Sequence, residues 1–137
     1  MVTIDDFKKL EIISVQIKDV QDHPNADKLY LVRVDTGSEE RKLVAGIRPF
    51  YTKEQLIGRQ VIMIRNLEPA VIRGEESQGM ILAVSDSEGI SLLQPDRKVA
   101  LGQIVKQFKK DKMSSILFNE VNNKGIAVIF VVLNQVV

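Results

Sequence analysis

Side chains suited to catalysis are sparse in this sequence. The chain has one histidine, His23, and no cysteine, which excludes a thiol nucleophile and the usual ligand sets of a zinc site. The serines include those at positions 77, 85, 87 and 91, but none has the glycine pattern of a nucleophile elbow. The dispersed glycines form no phosphate-binding or dinucleotide motif. We therefore predict a protein that is not an enzyme and has no cofactor or metal, and we interpret His23 as a loop-packing residue. A hydrolase using His23 and a serine is the remote alternative.

Polar groups suited to RNA recognition are concentrated in residues 66–80, NLEPAVIRGEESQGM, which we call the rim loop. Its glycines permit backbone geometry that other residues avoid, and its amides and hydroxyl offer neutral donors and acceptors. A methionine can pack against a base face. The RNA-binding candidates in this segment are Asn66, Arg73, Gly74, Ser77, Gln78, Gly79 and Met80. The alternative is a tight barrel corner in which Asn66 and Ser77 only satisfy backbone groups.

Two further arginines extend the candidate RNA-binding set. In an alternating strand, Val32 and Val34 point one way and Arg33 points the other, so buried valines place Arg33 on the outside. Arg65 stands at the end of the fourth predicted strand and Arg73 in the loop after it. Together with Arg33 they are candidates for one RNA-binding surface. The alternative is that all three arginines belong to ordinary solvated surface.

The overall charge argues against a purely electrostatic grip on nucleic acid. The net charge is +1, and residues 108–137 carry four lysines against Asp111 and Glu120, which leaves residues 1–107 with one net negative charge. Proteins that bind mainly by phosphate neutralisation are usually strongly basic. RNA affinity would therefore come from shape, local clusters, base contacts or doubling by symmetry.

The elements that would position these residues follow from local patterns. Thr3 and Asp6 predict the start of a short helix, and Thr52 with Gln55 forms a capping box before a second helix, which Gly58 ends. Alternating apolar residues and turn signals predict strands over 11–20, 29–35, 41–45, 60–65 and 80–84, and a further short strand over 90–93.

This order predicts a mainly all-β fold, a five-stranded OB-fold barrel with a helix between strands 3 and 4. We expect that helix to plug one end and the first and last strands to close the barrel. Residues 1–107 form the predicted domain and 108–137 a strand-containing C-terminal extension. The apolar run 125–137 is too short and polar for a membrane span. It is either buried in its own domain, contributed to a two-fold partner, or not native to the domain. Residues 1–10 lack an apolar signal core, so we expect a cytoplasmic protein.

Several linked motifs resemble a known family. They are HPNADKLYLVRVDTG at 23–37, LVAGI at 43–47, YTKEQLIGRQV at 51–61 and NLEP…RG..SQGMILA at 66–83. Together they resemble the tRNA-binding domain found at the C-terminus of methionyl-tRNA synthetase, as its separate β subunit, and in stand-alone tRNA-binding proteins. The likeness covers roughly residues 4–107 and is strongest to an archaeal-type β subunit or a free-standing version of it.

The resemblance implies an OB-fold that dimerises through its C-terminal region and binds the outer corner of tRNA largely by shape. Such a module raises a synthetase's hold on tRNA without aminoacylation, with tRNA and the methionyl-tRNA synthetase catalytic subunit as partners. Within the family the rim loop is associated with tRNA contact, and Asn66, Arg73, Gly74, Ser77 and Met80 match its pattern.

The sequence also departs from the family pattern. Glu11-Ile12-Ile13-Ser14-Val15 replaces an Asp-Leu-Arg-Val-Gly start, and Glu68, Ala70 and Val71 stand where lysines or arginines are usual. The lost positive charge predicts tRNA binding that is weak or that depends on dimerisation. A dimeric protein-interaction or chaperone-like module on the same fold is the alternative function.

Overall fold

The computed structural model describes residues 1–107, 120–121 and 127–128. The chain divides into two compact units, Met1–Val105 and Lys106–Val137. In the first unit the helices are α1 (Ile4–Lys8) and α2 (Lys53–Leu56), and the strands are β1 (Ile12–Asp22), β2 (Tyr30–Asp35), β3 (Glu40–Ala45), β4 (Gln60–Ile64), β5 (Ala70–Ile72), β6 (Glu75–Ser77), β7 (Met80–Ile81), β8 (Ala83–Asp86) and β9 (Gly89–Leu92). In the second unit β10 (Glu120–Val121) pairs with β11 (Ala127–Val128).

Five antiparallel strands form a nearly closed barrel in the order β3-β2-β1-β4-β7. The long strand β1 pairs with β4 through Ile12–Gln16 and with β2 through Gln16–Asp22. Between Ile17 and Asp19 the register with β2 shifts, and a bulge of this kind bends a strand and increases its twist. That bend lets one strand serve both neighbours. The predicted five-stranded OB-type barrel is confirmed.

The barrel closes between β3 and the end of the rim loop. We expected the first and last strands to pair, and that expectation was wrong, because β7 pairs with β4 and the edge of β1 opposite β4 bonds to residues 102–105. The short last strand β7 pairs with β4 through Met80 and Ile81. Across the gap, the backbone N–H of Gln78 donates to the carbonyl of Lys42 over 2.9 Å.

Alternating apolar residues fill the barrel, and α2 covers one end. The fully buried side chains come from four strands and this helix: Ile13, Val15, Ile17, Val32, Val34, Leu43, Leu56, Val61 and Met63. Both predicted helix starts are confirmed, since Thr3 pairs with Asp6 and Thr52 with Gln55 in reciprocal capping boxes. Each box satisfies backbone N–H groups that the first helical turn leaves free.

Two predictions after β4 were wrong in detail. The segment we predicted as loop contains the hairpin β5–β6, with Ala70 opposite Ser77 and Ile72 opposite Glu75. The single strand predicted over 80–84 is divided at Leu82, after which β8 leaves the barrel and pairs with β9. The apolar residues of this stretch therefore serve two different sheets, which a one-dimensional pattern does not distinguish.

The predicted extension 108–137 lies largely outside the described residues, and so does most of the apolar run 125–137. Only the backbone pairing of Glu120 with Val128 and of Val121 with Ala127 is described there. Over the described part of the chain, no helix has the length and apolar character needed to cross a membrane.

Candidate nucleic-acid interface

The rim loop begins at an asparagine whose side chain holds the backbone of another segment. Asn66 Oδ1 accepts a hydrogen bond from the N–H of Glu11 over 2.8 Å, and its Nδ2 donates to the carbonyl of Lys9 over 2.7 Å. The two contacts tie the start of the rim loop to the connection between α1 and β1. The residue is exposed, but both polar atoms of its amide already have protein partners.

The rim loop ends with two side chains that extend the pairing with β3. The Ser77 hydroxyl accepts from the N–H of Val44 over 3.0 Å and donates to the carbonyl of Gly79 over 3.1 Å. Gln78 Oε1 accepts from the N–H of Lys42 over 3.0 Å. Ser77 is only 4% exposed, so this hydroxyl is part of the barrel closure.

Arg41 fastens the two ends of the rim loop together. Its Nη1 donates to the carbonyl of Arg65 over 2.6 Å and to the carbonyl of Gln78 over 3.2 Å, and Nε pairs with Glu39 over 2.6 Å. Arg41 is absent from the predicted site residues. The signal was present in β3, where Arg41 keeps the alternation of the buried residues Leu43 and Ala45 and so points toward the barrel mouth.

At the tip of β5–β6 a two-residue turn presents a cation. Arg73 has φ of 55° and Gly74 has φ of 89°, the signs that a type I′ hairpin turn requires at both central positions. Both residues are exposed. Within the part of the chain that is described, no ion pair or hydrogen bond engages the Arg73 guanidinium.

The outer face beside the hairpin carries balanced charge. Arg33 lies opposite Lys42 on the adjoining strand, and paired residues share a face of the sheet. Arg33 Nε is 3.0 Å from Glu40 Oε2, and Lys42 Nζ is 2.9 Å from Glu75 Oε2. The hydrogen bond from Lys42 lowers the pKa of the Glu75 carboxyl below its ordinary value. Each cation on this face is therefore matched by a carboxylate.

The three predicted arginines do not contribute equally to one basic surface. Arg65 places Nε at 3.0 Å and Nη2 at 2.7 Å from Glu11 Oε1, which neutralises it at the end of β4. Arg33 is paired on the outer face, as described above. Arg73 alone of the three has no carboxylate partner among the described residues.

Apolar side chains complete the exposed part of the rim loop. Met80 is 46% exposed and Val71 is 73% exposed, and a thioether or an aliphatic group can pack on a base face or ribose. Gly79 lies between Ser77 and Met80, close to the backbone of β4. The rim thus combines one unpaired cation, apolar side chains and a backbone fixed at both ends, an arrangement suited to a ligand recognised by shape.

Comparison with known proteins decides the family. Residues 12–104 match the family described as "Putative tRNA binding domain". This chain belongs to the tRNA-binding domain family. The predicted resemblance is thereby confirmed over the whole barrel.

Relatives link the domain to methionine–tRNA ligases. The chain is 55% identical over 101 residues to the Methionine–tRNA ligase of Thermococcus onnurineus, covering 74% of this chain and 14% of that relative. The tRNA-binding domain therefore spans a small part of the ligase.

Solved structures show the same fold. A MetRS related protein from Pyrococcus horikoshii has a TM-score of 0.72 and 31% identity, covering 77% of this chain and 98% of that one. The CsaA chaperone protein from Picrophilus torridus has a TM-score of 0.72 and 29% identity, covering 77% and 100% of the two chains.

Proposed function

We propose that this chain is a non-catalytic tRNA-binding accessory protein that increases the affinity of a methionyl-tRNA synthetase for tRNA. The observation that carries the proposal is Arg73, which is exposed at a hairpin tip inside the family match of residues 12–104 and has no ion-pair partner among the described residues. The relation to methionine–tRNA ligases supports the choice of partner. We place its activity in the cytoplasm, where tRNA is charged.

In this proposal some residues of the rim loop contact RNA and others hold the loop in its shape. Arg73 contacts a phosphate, Met80 packs on a base or ribose, and Gly74 lets the backbone approach closely. The remaining predicted site residues act mainly by holding the rim in shape: Asn66, Ser77, Gln78, Gly79 and Arg65. Phosphate contacts fix orientation while the fixed outline selects folded RNA.

The balanced outer face bears on how tightly RNA is held. Arg33 and Lys42 each have a carboxylate within 3.0 Å, so displacing those carboxylates offsets part of the gain from a phosphate contact. Each phosphate neutralised adds a salt slope of only about 0.7–0.9. We propose that two copies of the chain act together, because a homodimer presents two rims to one tRNA.

Binding of labelled tRNA at several salt concentrations tests this function. We expect measurable affinity at low salt, a shallow salt slope, and weaker binding to unstructured RNA of the same length. Failure of the full-length chain to bind tRNA at low salt overturns the proposal. Light scattering on the full-length chain and on residues 1–107 tests the homodimer, and co-purification with a methionyl-tRNA synthetase catalytic subunit tests the partner.

A second candidate is a dimeric protein-interaction or chaperone-like module. The likeness to the CsaA chaperone protein favours it, together with the matched charges of the outer face and the exposed Val71 and Val84. Suppression of client aggregation at a stoichiometric ratio, unaffected by added tRNA, would support this candidate. If added tRNA abolishes the suppression of aggregation, client binding and tRNA binding share the rim loop.

A further inference from the structure

His23 lies in the loop after β1, and its imidazole is fixed by two hydrogen bonds. The residue is 3% exposed. Its Nδ1 lies 2.9 Å from the backbone nitrogen of Asn25, which can only donate, so Nδ1 accepts and carries no proton. The proton of the neutral ring is then on Nε2, which lies 3.1 Å from the carbonyl oxygen of Ile72 and donates to it. The geometry therefore assigns the Nε2–H tautomer.

The acceptor of this bond immediately precedes the exposed cation. Ile72 is the last residue of β5, and the next residue is Arg73. The strand β5 has three residues, and within the described part of the chain it pairs with β6 alone. An isolated two-stranded hairpin is at best marginally stable in water. The position of the tip therefore depends on what holds each of the two arms.

The two arms are held by different groups. The β6 arm is bound to β3 by the Lys42–Glu75 ion pair and by Ser77. Among the described residues, the only hydrogen bond from outside the hairpin to the β5 arm is the one from His23. Loss of that bond leaves the arm leading into Arg73 attached to the barrel only through its pairing with β6.

The loop that carries His23 is itself firmly attached. The backbone N–H of His23 donates to the carbonyl of Leu29 over 3.1 Å, beside the start of β2. Arg48 Nη1 donates to the carbonyl of Ala26 over 3.3 Å, and Arg48 also pairs with Asp22. The imidazole therefore connects the hairpin tip to a loop that is itself held against the barrel.

We propose that His23 is a positioning residue for RNA binding, which sets the location of the Arg73 tip through its bond to Ile72. The proposal rests on the tRNA-binding function above. The side chain is shielded from solvent and contacts the hairpin backbone, so its influence on RNA passes through the tip.

Two substitutions separate the nitrogens of the ring. In His23→Gln, the side-chain amide nitrogen replaces Nε2 and can still donate to the Ile72 carbonyl, while the Nδ1 acceptor is lost. In His23→Asn, the amide oxygen replaces Nδ1 as the acceptor for Asn25, but the side chain is too short to reach Ile72. We expect His23→Gln to keep tRNA affinity within about threefold and His23→Asn to lose about tenfold, the scale of one lost contact.

A double-substitution cycle distinguishes positioning from general support. If His23 acts through Arg73, His23→Asn should weaken binding in the native background and have no further effect in Arg73→Asn. Equal losses in both backgrounds overturn the proposal, as does a loss in His23→Gln as large as that in His23→Asn. If the unsubstituted chain binds no tRNA, the proposed function fails, and the positioning role is then judged by spectroscopy.

Nuclear magnetic resonance provides that independent measurement. The ring nitrogens of His23 in the unsubstituted chain should show the Nε2–H tautomer at neutral pH, and a proton on Nδ1 overturns the assignment. In His23→Asn, the amide resonances of Arg73 and Gly74 should shift or broaden while those of Val15 and Val61 stay in place. Unchanged tip resonances contradict the proposal, and the tautomer measurement decides the matter if His23→Asn fails to fold.

Discussion

The side chain of Asn66 accepts a 2.8 Å hydrogen bond from the backbone of Glu11, just beyond the paired ends of β1 and β4. Since the same amide also donates to Lys9, its removal should destabilise the fold. We expect Asn66→Ala to lower the free energy of unfolding by about 1–2 kcal/mol. Thermal denaturation should show a loss of about 4–8 °C for each kcal/mol in a domain of this size.

Asn66→Asp is the matched control, since it keeps the acceptor for Glu11 and loses the donor to Lys9. Because its second carboxylate oxygen would face the Lys9 carbonyl with no proton between them, we expect a loss of stability at least as large as in the alanine variant. Should Asn66→Ala keep its melting temperature and lose tRNA affinity, the residue contacts RNA directly and its interpretation as a support is wrong.

Replacing the cation at the hairpin tip should separate binding from stability. Arg73 has positive φ, and Asn-Gly is the preferred pair for a type I′ turn. We therefore expect Arg73→Asn to keep or raise the melting temperature, to weaken tRNA binding about tenfold, and to reduce the salt slope by about one. Fluorescence anisotropy at four or more salt concentrations measures both changes.

Arg73→Lys is the control for this change, because it preserves the charge but not the planar fork of donors. It should retain the salt slope of the unsubstituted protein. An Arg73→Asn protein that binds tRNA with unchanged affinity would remove this residue from the interface.

Gly79 should resist any side chain, because the barrel closes tightly at that point. A Cβ there would lie 3.0 Å from the carbonyl oxygen of Ile64 and 3.1 Å from Leu43 Cδ2. We expect Gly79→Ala to destabilise the domain by about 1–3 kcal/mol through overpacking. Denaturant unfolding measures this loss.

Gly74→Ala is the matched control for Gly79→Ala. Gly74 also has positive φ, but a Cβ there meets nothing within 4 Å, so only the backbone strain remains, about 1 kcal/mol. Equal losses in the two variants would show that backbone conformation, not crowding, determines the requirement for glycine at position 79.

The ion pair between Lys42 and Glu75 gives a defined pH dependence. The hydrogen bond from Lys42 lowers the pKa of Glu75 below its ordinary value of 4.5. Its contribution to stability is therefore fully present above that value and is lost as the pH falls through the lower folded-state pKa. A carboxyl carbon titration should give a midpoint below 4.5, and Lys42→Met should move it upward.

Lys9→Met serves as the control in this titration, because Lys9 pairs with Asp6 in α1. It should leave the Glu75 midpoint unchanged. A Glu75 midpoint that is insensitive to Lys42→Met would show that another group lowers its pKa.

Features set by neighbouring residues could be predicted from the sequence. The capping pairs Thr3–Asp6 and Thr52–Gln55 act over three residues, and the alternation of Val32, Arg33 and Val34 fixes which side chains enter the core. The family motifs predicted the barrel as a whole.

Features that depend on distant contacts could not be predicted. Arg65 was a predicted RNA-binding cation, but its charge is neutralised by Glu11. The two residues are 54 positions apart in the sequence. Arg73-Gly74 lacks the Asn-Gly signature of a tight hairpin, so the sequence pattern predicts a loop where the structure has β5–β6. The partners of Asn66 and Ser77 are backbone groups, whose positions exist only in the folded chain.

The two hydrogen bonds from Arg41 affect which changes of sequence the rim loop can accept. Because one guanidinium binds the carbonyls of Arg65 and Gln78, the ends of the intervening segment are brought together independently of its length. Closing a longer segment costs little extra entropy, about 0.6 kcal/mol per doubling. The stretch 67–76, inside the supports Asn66 and Ser77, can therefore be exchanged for another recognition hairpin, by evolution or by design, without rebuilding the barrel.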